Sequence, residues 1–122
     1  METMSRIEGR KFLKSVRKVV IKVGSAVLAD ENGLNDQVIA DLCAQVALLR
    51  KEGLEITVVS SGAIAAGLGK TPGLQAPKTI PEKQAMAALG QGRLIQAYED
   101  AFSNHNIHVA QILLTREGLV SR

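Results

Sequence analysis

The chain has 122 residues, of which 46% are apolar and 22% are charged, with a formal net charge of +3. These proportions are typical of one folded domain or of part of one. With only 2% aromatic residues, base stacking on a single-stranded nucleic acid is disfavoured, and no apolar run reaches the ~18 residues of a membrane span. The lone cysteine, Cys43, excludes an intrachain disulfide and gives no sign of an oxidising compartment, so we expect a cytoplasmic protein.

The basic charge is concentrated at the N-terminus. Residues 1–18 carry six of the fifteen Lys and Arg side chains and two of the twelve acidic ones, so nine basic and ten acidic groups remain elsewhere. We expect residues 1–16 to form a solvated, disordered leader, with contact to a polyanion or a membrane as the alternative. Ile-Glu-Gly-Arg at residues 7–10 resembles a protease cleavage site, so a residual cloning sequence is a third interpretation.

The first strand is predicted over residues 17–23. Its centre, Val-Val-Ile-Lys-Val, is β-branched almost throughout and alternates little, which favours a parallel strand buried on both faces. Three short features are predicted next: a tight turn at residues 24–26, a short strand or extended arm at residues 27–28, and a turn at residues 30–33.

A helix and a second strand follow. Asn35 or Asp36 is predicted to cap a helix that runs to about Lys51 and stops at Gly53. Its apolar stripe consists of Val38, Ile39, Leu42, Val46 and Leu49. Residues 54–60 are predicted to form the second strand, and the strand-helix-strand order predicts a parallel pair with the first.

The last third of the chain is predicted to be helix, loop, helix and strand. A helix opens over residues 62–67, a surface loop spans residues 69–81, and a long helix spans residues 81–103, in which Gly90 and Gly92 suggest close packing against another backbone. Residues 108–115 are predicted to be the third strand. Three parallel strands with so few helices make a thin core, so we interpret the chain as the front part of a larger domain.

Two strands of this pattern end in turns that suit a phosphate or a carboxylate. Lys22 lies near the end of the first strand and is followed by Gly24 and Ser25, while Ser60, Ser61, Gly62 and Ala63 follow the second strand. Ligands bind at the carboxyl edge of open parallel sheets, where both turns are expected. The alternative interpretations are a lysine that points to solvent and an ordinary helix-capping serine.

Several other chemistries are disfavoured. Ser61 lacks the glycine two residues before it that a hydrolase nucleophile elbow requires. Lys22 precedes its glycine, which excludes a Walker loop, and Gly90-Gln91-Gly92 lies in a helical pattern, not after a strand. The acidic residues and the two histidines, His105 and His108, do not form a metal-binding pattern.

From about residue 17 to its end, the chain resembles the N-terminal part of members of the amino acid kinase family. The matching segments are Val-Ile-Lys-Val-Gly-Ser at residues 20–25, Val-Ser-Ser-Gly-Ala-Ile-Ala-Ala-Gly at residues 59–67, Lys-Gln with Ala-Ala-Leu-Gly-Gln within residues 83–91, and Val-Ala-Gln-Ile-Leu-Leu-Thr-Arg at residues 109–116. Other branches usually carry paired glycines in the first or second turn, so the Ser-Gly-Ala-Ile-Ala-Ala-Gly run is specific for the glutamate kinase branch.

This resemblance implies a fold, a reaction and a set of ligands. The fold is a three-layer α/β/α sandwich with a mainly parallel open sheet, here truncated, in which residues 17–122 form the N-terminal, acceptor-side part. The reaction is ATP-dependent phosphorylation of the γ-carboxylate of L-glutamate to glutamyl 5-phosphate, the first step of proline synthesis. The implied cofactor is Mg²⁺, held mainly by the nucleotide phosphates, and the implied assembly is a homo-oligomer.

The resemblance also assigns roles to residues. Lys22 would contact the transferring phosphate as the catalytic residue, with Gly24 and Ser25 beside it, and Ser61, Gly62 and Ala63 would form part of the glutamate site. The family's nucleotide pocket and second phosphate-binding lysine have no match here, which implies that the 122 residues alone do not turn over. Two alternatives stay open: the same fold with another carboxylate or phosphate acceptor, and a non-catalytic ligand-binding or assembly module.

Overall fold

The computed structural model of the protein describes residues 13–69, 71, 73–114, 118 and 120. Most of the predicted leader (residues 1–12) and the last residue of the predicted third strand (Thr115) lie outside the described residues. Within these ranges the elements are, in chain order, β1 (Lys18–Val23), α1 (Ser25–Leu28), β2 (Ala29–Asp30), β3 (Gly33–Leu34), α2 (Asp36–Lys51), β4 (Glu55–Ser60), α3 (Ala63–Leu68) and α4 (Ile80–Ser103).

Strands β1 and β4 form a parallel pair, as the sequence predicts. The register places Lys18 opposite Glu55 and Val23 opposite Ser60. One further bond continues the ladder past the strands, because the Ser61 amide donates to the Val23 carbonyl at 2.9 Å. The prediction of an α/β fold with a parallel sheet is confirmed.

The two faces of this sheet differ. On one face, covered by helices, alternate residues of both strands are buried or half-buried: Val19, Ile21, Val23, Ile56, Val58 and Ser60. On the other, which we call the open face, the intervening residues are exposed: Lys18, Val20, Lys22, Glu55, Thr57 and Val59. The prediction of strands buried on both faces was therefore wrong for the described part of the chain, because α2 and α4 both pack into one core cluster with Val23.

That core is mainly aliphatic. Its largest fully buried side chains are Leu28, Ile39, Leu94 and Cys43. Two of the chain's few aromatic residues, Tyr98 and Phe102, complete it and stack with ring centroids 6.4 Å apart. Burial of this apolar surface is the main favourable contribution to folding.

Helix α2 forms as predicted. The Asn35 side chain caps it by accepting a hydrogen bond from the Val38 amide at 3.1 Å. The helix ends at Lys51, and Gly53 adopts φ +89°, a conformation that glycine takes without strain. Its buried face comprises Ile39, Cys43, Val46 and Ala47.

The segment after β1 differs from the prediction. Ser25–Leu28 forms one helical turn, where a tight turn and a short strand or arm were expected, and this turn buries Leu28 completely. The turn predicted at residues 30–33 is present and joins β2 to β3 as an antiparallel pair. The Asp30 carboxylate accepts a hydrogen bond from the Asn32 amide at 2.8 Å inside it.

Helix α4 begins one residue before its predicted start, with Thr79 and Glu82 forming a reciprocal capping box. Gly90 packs against another backbone as predicted, because a methyl group there would overlap the Ala63 carbonyl oxygen and the Gly67 amide nitrogen. Gly92 does not: none of the described residues has an atom within 4 Å of a Cβ built there, so that part of the prediction was wrong.

Residues 107–114 form neither a helix nor a strand, contrary to the strand predicted for residues 108–115. Ile107 and Val109 pack against the core cluster, whereas Ile112, Leu113 and Leu114 are exposed. A strand exists only where its amides and carbonyls meet a neighbouring strand, and in the described part of the chain this segment pairs with none. The segment has the predicted apolar sequence, but none of the described strands pairs with it.

Candidate functional site

The candidate site lies where β1 and β4 end. We call residues 24–25 the first turn and residues 60–63 the second turn. Because the strands are parallel and in register, and because the Ser61 amide bonds to the Val23 carbonyl, both turns leave the same edge of the sheet. That is the edge at which open parallel sheets bind ligands.

A depression of about 520 Å³ brings the two turns together. Ser25 from the first turn and Ser60, Ser61, Gly62 and Ala63 from the second line it. The remaining lining comes from the apolar side of α3 and α4, namely Ile64, Ala65, Leu68 and Ala87. The depression thus combines hydroxyl groups at one end with an aliphatic wall.

Lys22 and Gly24, which the sequence singles out, do not line this depression. Lys22 is exposed on the open face in register with Val59, two residues before Ser61. Because Lys22 is exposed, its ammonium stays hydrated and needs no buried anion as a partner. Gly24 precedes α1 with an extended backbone, and no described residue comes within 4 Å of a Cβ built on it, so packing in this part of the chain does not require its small size.

Gly62 shows why the second turn needs a glycine. Its φ of +110° is in the left-handed region, where a side chain would be strained. The space around it is ordinary, with Leu28 and Leu34 side-chain atoms 3.8 Å from a Cβ built there. The conformation, which redirects the chain from β4 into α3 at Ala63, is therefore what requires glycine.

Ser60 and Ser61 have different surroundings. The Ser60 hydroxyl lies 2.9 Å from the Tyr98 hydroxyl of α4 and 3.0 Å from the Ser61 carbonyl oxygen. Ser61 is exposed at the edge, so its hydroxyl is the accessible one. Strand alternation could have separated the two serines, because Ser60 lies two residues after Val58 and therefore shares the covered face with it.

Tyr98 is the polar residue of this region that the sequence analysis did not single out. It is 6% exposed, and burial raises the pKa of its hydroxyl. A tyrosine at a buried helix position generally finds a partner for its hydroxyl, which is the signal the sequence offered.

A second cavity, of about 580 Å³, lies between α2, α4 and the β2–β3 hairpin. Arg93 extends into its wall and donates to the Ala66 carbonyl at 2.9 Å, thereby tying α4 to α3. The sequence analysis did not single out Arg93; its position on an otherwise apolar side of the long helix was the available signal. The charged groups in the lining are Asp36, Arg93 and Asp100.

Other reactive groups give no competing site in the part of the chain that the structure describes. There, no three His, Cys, Asp or Glu side chains are grouped so that they could hold a metal ion. Burial raises the pKa of the Cys43 thiol to about 11, as expected of an inert core cysteine. None of the described helices combines the length and apolar character needed to cross a membrane.

Comparison with known proteins adds an independent line of information. The model of the amino acid kinase family matches residues 17–122. The chain is 48% identical over 114 residues to the glutamate 5-kinase of Pelobacter propionicus, covering 93% of the chain and 31% of that protein. It is 54% identical over 112 residues to that of Geobacter metallireducens and 49% identical over 108 residues to that of Thermus thermophilus, covering 91% and 88% of the chain.

The lengths of these relatives matter for what can be concluded. The chain spans 31%, 30% and 29% of the three glutamate 5-kinases, respectively. The matches therefore support the fold of this segment. The reaction that the complete relatives catalyse is proposed for this protein below.

Proposed function

The chain belongs to the amino acid kinase family, and from this premise we propose that the complete protein transfers the γ-phosphoryl group of ATP to the side-chain carboxylate of L-glutamate. The relatives named glutamate 5-kinase support this choice of acceptor. The observation that carries the proposal is the shared edge: two hydroxyl- and glycine-containing turns leave neighbouring parallel strands side by side, joined by the bond between Ser61 and Val23.

The second turn is proposed to hold the acceptor. The exposed Ser61 hydroxyl, together with the backbone at Gly62 and Ala63, would bind polar groups of glutamate in the depression at the sheet edge. Hydroxyl and amide donors placed by a rigid strand end reduce the entropy cost of aligning the acceptor oxygen with the phosphorus atom.

Lys22, with Gly24 and Ser25 beside it, is proposed to contact the transferring phosphoryl group. Ser25 lines the depression, and Lys22 is an exposed residue one position before the end of β1. In this proposal the flexible lysine side chain reaches over the edge when the nucleotide is present. A cation there would stabilise the charge that spreads over the equatorial oxygens during transfer.

The reaction needs no general base from the protein. A carboxyl group is ionised at neutral pH, so an acceptor oxygen can attack without a general base. The bond from the γ-phosphorus to the bridging oxygen breaks, the bond from the carboxylate oxygen to phosphorus forms, and ADP leaves with the electron pair. What the protein must supply is alignment and positive charge between two anions.

Magnesium has no fitting protein site within the described ranges, because no cage of acidic side chains is present there. We propose that Mg²⁺ is held mainly by the phosphates of the nucleotide and binds together with it. The same proposal places the enzyme in the cytoplasm as a homo-oligomer, following the family resemblance.

An acceptor panel tests the proposal. The complete protein is incubated with ATP and L-glutamate, L-aspartate, N-acetyl-L-glutamate or a phosphate monoester, and acyl phosphate is trapped with hydroxylamine while ADP is measured. We expect hydroxamate and ADP in equal amounts with L-glutamate and much less with the others. A preference for another acceptor would support a sibling activity, and calorimetric binding of glutamate without any turnover would support a binding module.

A further inference from the structure

We infer that Tyr98 is a positioning residue for the second turn: its hydroxyl holds Ser60, which in turn holds the peptide that joins Ser61 to Gly62. This inference rests on the proposed function, because it concerns the turn proposed to bind the acceptor. Tyr98 does not line the depression, so any effect on the acceptor must pass through Ser60.

The direction of the two hydrogen bonds follows from the number of protons. The Ser60 hydroxyl donates to the Ser61 carbonyl at 3.0 Å. A serine hydroxyl has one proton to donate; with that proton directed to the Ser61 carbonyl, Tyr98 is the donor in its 2.9 Å contact with Ser60. The result is a chain from the Tyr98 hydroxyl through the Ser60 hydroxyl to the Ser61 carbonyl.

Holding the Ser61 carbonyl also orients the next amide. The peptide between Ser61 and Gly62 is planar and trans, so its carbonyl and its N–H point in opposite directions. Gly62, at φ +110°, has the conformational freedom that would let this peptide rotate as a unit. A bond to the carbonyl opposes that rotation and fixes which group faces the depression.

The donor itself is rigidly placed. The Tyr98 ring is buried in the core and stacks on Phe102. Helix α4 in turn contacts α3 through Gly90 and through the bond from Arg93 to the Ala66 carbonyl. Because burial raises the pKa of Tyr98, its hydroxyl keeps its proton at neutral pH and stays a donor.

The test is a double-mutant cycle in the complete protein, with Tyr98→Phe, Ser60→Ala and the double variant assayed for glutamate phosphorylation. Loss of one such bond is expected to raise the KM for glutamate about 2- to 12-fold, the range that corresponds to about 0.5–1.5 kcal/mol. The KM for ATP should be unchanged. Since both residues act in one chain, the double variant should resemble either single variant, not the product of the two effects.

Ile39→Val is the matched control, because it removes one methyl group from the same core and leaves the aromatic pair and the hydroxyl chain in place. It is expected to lower the melting temperature while leaving the KM for glutamate unchanged. If Tyr98→Phe keeps the wild-type KM, or if the two single effects multiply in the double variant, the inference is wrong although the proposed function stands. If the wild-type protein phosphorylates no glutamate, the proposed function fails and the inference fails with it.

Discussion

Gly90 of α4 lies against the carbonyl oxygen of Ala63, the first residue of α3, so closely that a methyl group could not be added without overlap. The contact joins backbone to backbone and continues at Gly67, where an added Cβ would meet Met86. Since Ala63 also ends the second turn, the long helix supports that turn directly. The sequence around the candidate site is thus constrained by helix packing as well as by any ligand.

This contact predicts opposite effects for two neighbouring glycines. Gly90→Ala should lower the free energy of unfolding by about 1–3 kcal/mol or more, because overpacking against backbone cannot be relieved by a side-chain rotation. Gly92→Ala, at an exposed position of the same helix where no atom of the described chain comes within 4 Å of an added Cβ, should raise it by about 0.5–1 kcal/mol through helix propensity. Urea unfolding of both variants measures this, and equal effects would contradict the packing.

The capping box of α4 predicts a pH dependence. The amides of Thr79 and Lys78 donate to the Glu82 carboxylate at 2.9 and 2.7 Å and hold its pKa below the ordinary value. Because the folded-state pKa is the lower one, the stabilisation is fully present above the unfolded pKa and is lost as the pH falls through the folded pKa. Glu82→Gln should therefore be less stable than the wild type near neutrality, with the difference shrinking in acid.

The matched control is Glu99→Gln, an exposed acidic residue near the other end of the same helix, which makes no cap. Thermal melts of the three proteins between neutral and acid pH give the comparison. A stability difference between Glu82→Gln and the wild type that stays constant with pH would show that the carboxylate charge contributes nothing.

The single cysteine provides a probe of the core. Cys43 is fully buried, and its pKa is raised to about 11, so little reactive thiolate exists at neutral pH. A maleimide or an aromatic disulfide reagent should react slowly with the native protein and rapidly in denaturant. Because the chain has only one thiol, the rate reports on this site alone, and equally fast reaction in both conditions would place Cys43 at the surface.

The sequence was most informative where local chemistry decides structure. Asn35 and Gly53 mark the ends of α2 through a side-chain cap and a left-handed backbone, both properties of single residues. It was least informative where the structure depends on pairing with a distant segment. Residues 107–114 are an example, because their apolar run pairs with no strand within the described residues. Likewise, β-branched strands do not reveal how many faces are covered, and the open face around Val20 follows from where the helices pack.

For the candidate site, the sequence predicted that the two turns share an edge, but it did not predict the different hydrogen-bonding partners of their residues. Parallel order alone brings Ser25 and Ser61 to one depression. That the Ser60 hydroxyl is engaged by Tyr98 could not be predicted, because the partners are 38 residues apart and meet through tertiary packing. The role of Lys22 also stays a prediction, since its side chain is in solvent.

Kinetics of the Lys22→Ala variant of the complete protein, compared with Lys18→Ala, test the central claim most directly. Lys18 lies on the same open face, and its exposed ion pair with Glu55 at 3.4 Å contributes at most about 1 kcal/mol to stability, so its removal controls for loss of a positive charge from β1. We predict that Lys22→Ala lowers kcat about 100-fold or more with a much smaller change in the KM for glutamate, while Lys18→Ala stays near wild type. Equal kcat values for Lys22→Ala and the wild-type enzyme would contradict a role of this lysine in phosphoryl transfer.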